Sequence, residues 1–233
     1  GGYGMGNQEG INYAVSCLEA DYVIIANPDI HVTPRCIRRV KDALDKTQGA
    51  VAASARVKDP MGGELFSYWT LLPLWKDLLD TGLVTRRLFK AMLNTPSYRL
   101  AYAGDEDCRL VDAVPGSFFM LKTGILTPGE IKEVFDKHIF LYYEEKVLGQ
   151  KFRKMGLKTV LVTDESYVHA HSVSIDKSFK RIVDKQRLLH RSKLYYYKEY
   201  LGTGPAGMAA ARAVLGLVLA EVWFLTVVCR MRW

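Results

Sequence analysis

Three stretches carry the residues best able to do chemistry. In "YVIIANPDIHVTP" an apolar run, Tyr22–Ala26, is followed by Asn27, Pro28 and Asp29. Just past the carboxyl end of a strand is where open α/β sheets bind ligands. A carboxylate there can hold Mg²⁺ or Mn²⁺, which in turn grips a diphosphate. It can also close an Asx turn on backbone near Val32. His31 reads as a loop histidine rather than a ligand. Glu144 and Glu145 end an aromatic run and open a helix. Acids there complement the helix dipole. Neighbouring helical residues point about 100° apart, so only one of the two would face a site. A buried carboxylate beside another acid is pushed towards neutrality, which suits a general base. His169 and His171 alternate along "SYVHAHS" and so share one strand face. Either one of them is a metal ligand beside Asp29, or they form the polar edge of a half-buried strand.

These residues need elements to position them. Apolar positions at Ile11, Ala14, Val15 and Leu18 predict an amphipathic helix over 7–20. The β-branched run at Tyr22–Ala26 predicts a strand buried on both faces. Thr33 and Pro34 form an N-cap and first turn for a helix lined by Ile37, Val40 and Leu44. Ala50–Val57 reads as the next strand. Alternating helices and strands imply an α/β domain with a mostly parallel sheet flanked by helices. Residues 64–103 are dense in aromatics and leucines and read as short helices or a long excursion. Val111–Leu121 is a strand broken at Pro115-Gly116. Residues 144–155 are helical, with Val147, Leu148, Phe152 and Met155 on one face. Lys158–Val162 and Ser166–His169 are short strands, and 176–200 is a long basic, aromatic helix.

The glycines of "GGYGMGNQEG" do not form G-x-G-x-x-G. They read as a turn entering a helix, or as a loop that brings backbone close to a nucleotide. Composition is ordinary globular, with 49% apolar and 24% charged residues. A formal charge of +7 suits an anionic partner. Four scattered cysteines argue against a zinc site or a disulfide framework. No nucleic-acid motif is present, and the Tyr195-Tyr196-Tyr197 run lies on a helix rather than on a sheet platform.

Together, "GGYGMGNQEGIN", "VIIANPDIHVTP", "VPGSFFMLK", "IFLYYEEKVLGQKFRKMG" and "YVHAHS" resemble, in order and spacing, the rhamnosyltransferase-like branch of family 2 glycosyltransferases. The resemblance covers roughly residues 1–200. It implies a GT-A fold, a nucleotide-sugar donor, a divalent metal (Mg²⁺ or Mn²⁺) and inversion at the anomeric carbon. By this resemblance Asp29 is the last acid of the metal-binding element and His169 completes the site, with His171 in reserve. Glu145 falls at the base, with Glu144 beside it. Gly116 and Ser117 match small residues under the acceptor, and Gly4, Asn7 and Asn27 are further substrate-binding candidates. There are departures. Asn7-Gln8 stands where the family has Asn-Asn, Glu145 where it has Asp, and Val147 where it has a further acid. The family's first strand and nucleobase loop would precede Gly1, so the chain reads as a GT-A-like domain over 1–175 lacking its first strand.

Residues 176–233 read as a membrane-associating appendage. Between 176 and 200 there are eight Lys/Arg against three acids. Tyr195, Tyr196, Tyr197, Trp223 and Trp233 are candidate interface residues. The apolar tail Met208–Cys229 contains only Arg212 and Glu221 as charges, and reads as a span, an interfacial helix or a packing helix. The expected protein is a cytoplasmic enzyme at the inner face of the cell membrane, acting on a lipid-linked or polysaccharide acceptor. The competing reading is a non-catalytic, truncated or degenerate transferase domain that serves as a membrane-surface binding module.

Overall fold

The computed structural model describes residues 2–89, 93, 107–170 and 182–230. Among these lie eight α-helices: α1 (Tyr3–Leu18), α2 (Pro34–Lys46), α3 (Leu74–Thr81), α4 (Leu83–Leu88), α5 (Pro128–Ile131), α6 (Glu144–Lys154), α7 (Ile182–Glu199) and α8 (Pro205–Trp223). The strands are β1 (Tyr22–Ala26), β2 (Ile30–His31), β3 (Ala50–Lys58), β4 (Cys108–Val111), β5 (Phe118–Lys122) and β6 (Lys158–His169). They divide into two compact units. The first takes the described residues of Gly1–Leu71, Pro96–Phe140 and Glu144–His171; the second takes those of Leu72–Thr95, Leu141–Tyr143 and Ser172–Trp233.

The first unit is built on a mixed sheet in the order β1-β5-β3-β6-β2, with β4 also paired to β6. β1, β3 and β6 run one way, and β2, β4 and β5 run the other. Only β3 and β6 are parallel neighbours among the described strands, so the expectation of a mostly parallel sheet is corrected. Apolar runs report burial rather than direction: β3 and β5 are buried along most of their length, whereas β1, expected to be buried on both faces, is an edge strand with only Ile25 buried. Along β5, Phe119 and Leu121 pack with Ile11 of α1 and with Leu148 and Phe152 of α6. Phe118 and Met120 face the other way, to Val40 and Leu44 of α2.

The cap at α2 is as expected: Thr33 accepts a hydrogen bond from the Cys36 amide at 3.1 Å, and Pro34 opens the helix. Three boundaries differ from the reading above. The glycine stretch is helical from Tyr3, because tertiary contacts anchor that end: the Tyr3 amide donates to Phe140 O at 3.3 Å and its hydroxyl to Gly116 O at 2.5 Å. The 111–121 segment is two strands that do not pair with each other. β6 runs unbroken where two strands were expected. Its register against β3 shifts between Ala55/Val162 and Arg56/Ser166, which bulges out residues 163–165. Asp164 and Glu165 in that bulge are held by Arg39 at 2.8 Å and Arg35 at 2.6 Å.

The second unit places the aromatic segment after 71 on α3 and α4, in one cluster with α7 and α8. At its centre Asp77 is 1% exposed. Its carboxylate accepts hydrogen bonds from Tyr143 (2.7 and 2.5 Å), Tyr197 (2.5 Å) and Lys193 (3.0 Å), and Lys193 also donates to Thr81. Tyr196 stacks edge-on against Tyr143 at 5.3 Å. Tyr196 and Tyr197 are therefore buried, not interfacial as the sequence suggested. On α8 the residues Met208, Ala211, Leu215, Val218 and Val222 recur at helical spacing and are buried. Glu221, the one acid in this apolar helix, accepts from the amides of Leu83 and Val84, both at 3.2 Å. It thus satisfies open donors at the start of α4. Pro205–Val228 is long and apolar enough to cross a membrane.

Candidate functional site

The candidate residues gather at the carboxyl ends of β1, β3 and β6 in the first unit. β2 leaves the tip of β1 and pairs antiparallel with the end of β6, setting Ile30 opposite His169. The Ala170 amide donates to Asp29 O at 3.0 Å and locks this corner. The side chains of Asp29 and His169 then meet, with Oδ1 3.3 Å from Nε2, at 26% and 14% exposure. Asp29 Oδ1 is buried and has no hydrogen-bond partner among the described residues. His31 is exposed on β2. His171 lies outside the described residues.

A second group adjoins. The Asn27 amide donates to Ser117 O at 2.9 Å, continuing the β1–β5 ladder past its last pair. The Ser117 hydroxyl bonds the buried Tyr167 hydroxyl at 2.7 Å. Next to Ser117, the Gly116 amide donates to Glu145 Oε1 at 3.3 Å, and the Gly116 carbonyl accepts from Tyr3. A Cβ on Gly116 would come within 3.0 Å of the Tyr3 hydroxyl and 3.3 Å of Glu145 Oε1, so glycine allows this convergence. α6 is seated equally closely. A Cβ on Gly149 would stand 2.3 Å from Asp112 O.

The backbone before α6 is strained. Tyr142 and Tyr143 take φ values of 67° and 76°, two consecutive non-glycine residues in the left-handed region. Glu144 and Glu145 follow directly. Burial is the main cause that raises both carboxyls. Glu144 is pushed up to about 8 by burial and then by the Glu145 charge. Glu145 is raised by burial, against stabilising backbone donors that include the Gly116 amide. A small cavity against Glu145, lined by Ala52, Val114, Phe119, Leu148, Phe152 and Thr159, accounts for this dry surrounding. Glu144 Oε1 is buried and has no hydrogen-bond partner among the described residues.

This arrangement has a consequence for stability. Glu144 releases its proton near 4.5 when unfolded but near 8 when folded. Between those values the folded state binds more protons, so stability falls as pH rises. The contribution is fully present below 4.5 and lost on passing 8. Glu144→Gln is expected to raise the melting temperature at pH 8 and leave it nearly unchanged at pH 4.5, with a gain at pH 8 of about 2 kcal/mol. Thermal unfolding across this pH range checks it; a gain independent of pH would contradict it.

The remaining candidates are placed differently. Gly4 lies inside α1 against the Phe135 side chain, whose Cβ is 3.3 Å from where a Cβ on Gly4 would sit. Asn7 Nδ2 donates to Tyr3 O at 3.1 Å, within its own helix. Sequence reasoning passed over Tyr3 and Tyr167, which brace Gly116 and Ser117. Their only signal was position, Tyr3 being the first bulky residue among the glycines and Tyr167 opening "YVHAHS". No family model matches this chain, and no match is found among curated proteins.

Proposed function

We propose that the first unit is an inverting, metal-dependent glycosyltransferase of GT-A type, similar to family 2. It moves a sugar, rhamnose among the candidates, from a nucleotide-sugar to a lipid-linked or polysaccharide acceptor. It works in the cytoplasm at the inner face of the cell membrane. The observation that carries the reading is the Asp29–His169 pair at the sheet end, where the buried Asp29 Oδ1, 3.3 Å from His169 Nε2, has no hydrogen-bond partner among the described residues. The carboxylate suits Mg²⁺ or Mn²⁺, and the imidazole beside it favours Mn²⁺ of the two. Among the described residues no third His, Cys, Asp or Glu joins them. Asp29 and His169 would hold the ion, whose charge stabilises a departing diphosphate.

The leaving group's difficulty is charge, so no general acid is required. Glu145, held by the Gly116 amide, takes the proton of the attacking acceptor hydroxyl as the new glycosidic bond forms. Glu144 keeps its own proton below about 8 and so adds no second negative charge beside the base. Gly116 and Ser117 offer a surface without bulk beneath the acceptor. A single in-line displacement inverts the anomeric carbon.

Calorimetry with UDP-, dTDP- and GDP-sugars, with and without Mn²⁺, tests the reading. Donor binding is expected to need Mn²⁺, and Asp29→Ala is expected to weaken Mn²⁺ binding by about 10–100-fold. Metal-independent binding, or an unaffected Asp29→Ala, would overturn it.

A further inference from the structure

In the second unit the exposed apolar side chains concentrate on two elements. Val84, Leu88 and Phe89 lie on and just after α4, at 56%, 72% and 40% exposure. Trp223 at the end of α8, and Phe224 and Val227 in the π-helical turn Phe224–Val228 that continues it, are at 51%, 51% and 54%. The two elements are joined: Glu221 caps α4 through the Leu83 and Val84 amides, and a Cβ on Gly82 would stand 3.4 Å from the Val218 side chain. α8 is apolar on both sides. One side is buried through Leu215, Val218 and Val222; the other exposes Leu217 at 71%. A helix serving only its own unit needs one apolar side. The charges on the two elements favour an anionic partner. α4 carries exposed Arg86 and Arg87 and no acid, with Arg86 also 3.2 Å from Asp80. On α8 and the turn after it, Arg212 and Arg230 stand against Glu221, which is already engaged.

We propose that α4 and the carboxyl end of α8 form one docking face that lies in the plane of an anionic lipid bilayer. Trp223 and Phe224 enter the headgroup boundary, and Arg86 and Arg87 meet lipid phosphates. Although long enough to span, α8 does not cross the bilayer. One of its sides is packed on protein, and Glu221 is spent on α4. This rests on the membrane-surface part of the proposed function, and its test reads lipid binding, not sugar transfer, so the two can fail separately.

The test is flotation of the full chain with phosphatidylcholine vesicles, with and without about one-third phosphatidylglycerol. Co-flotation is expected with the anionic vesicles only, with release by alkaline carbonate. Leu88→Glu and Phe224→Glu, both at exposed positions, are expected to lower partitioning at least about tenfold with an unchanged circular dichroism spectrum. Arg86→Gln and Arg87→Gln are each expected to lower it about fivefold. Three results would overturn the proposal: flotation unaffected by these substitutions, retention in carbonate as for a spanning helix, or a concentration-dependent dimer that the same substitutions dissolve while flotation is unchanged.

Discussion

Glu145→Gln is expected to slow sugar transfer by about 10²–10⁴-fold, equivalent to ~3–5 kcal/mol of barrier, while Glu144→Gln retains most of the rate. The two residues are neighbours of the same type, so their ranking is a sharp test. It rests on one contact: Glu145 Oε1 accepts from the Gly116 amide, whereas no described residue donates to the buried Glu144 Oε1. On the proposed reading this places the anion on Glu145 and would make it the base. Initial rates at pH 7 for both variants decide the matter. The opposite ranking would reassign the base to Glu144, and two variants with full activity would remove the acid pair from the chemistry.

The second large effect belongs to the polar centre of the other unit. Lys193→Met is expected to cost about 3–5 kcal/mol of stability, because it strands the Asp77 carboxylate at 1% exposure. Tyr143 and Tyr197 still donate to Asp77, which places the effect at the lower end of that range. Adding Asp77→Asn to Lys193→Met removes the stranded charge and is expected to recover at least half of the loss. Chemical denaturation of the two single variants and the double checks this. Additive losses would show that the two residues act independently.

Much of this architecture was legible in the residues, for reasons that differ element by element. Tyr22–Ala26 and Ala50–Val57 declare strands because β-branched and small apolar residues suit a pleated position; double burial holds for Ala50–Val57, while Tyr22–Ala26 is an edge strand with only Ile25 buried. Thr33-Pro34 declares a helix start through its own local hydrogen bond. Strand direction is different. Nothing within "SFFMLK" says that β5 runs against β1 and β3; that depends on how far the chain travels before it returns. The bulge at 163–165 escaped because its acids looked like a break, while the arginines that hold them lie on α2. The candidate site shows the same division. Asp29 and His169 were read as partners and do meet. The tyrosine supports of Gly116 and Ser117 depend on contacts far along the chain. The Asp77–Lys193 pair lay hidden because an acid among leucines and a lysine before "LYYY" each look like surface residues when read alone.

The antiparallel pairing of β2 with β6 sets the timing of assembly as well as its geometry. Asp29 emerges early in synthesis, and His169 arrives only after every other strand of the sheet has been made. The corner they share closes one of the longest loops in the unit, and contacts of that kind form late and slowly. A nascent chain arrested before β6 therefore carries the acid without its imidazole. On the proposed reading, competence to bind a divalent ion would arise in one step, when β6 joins the sheet.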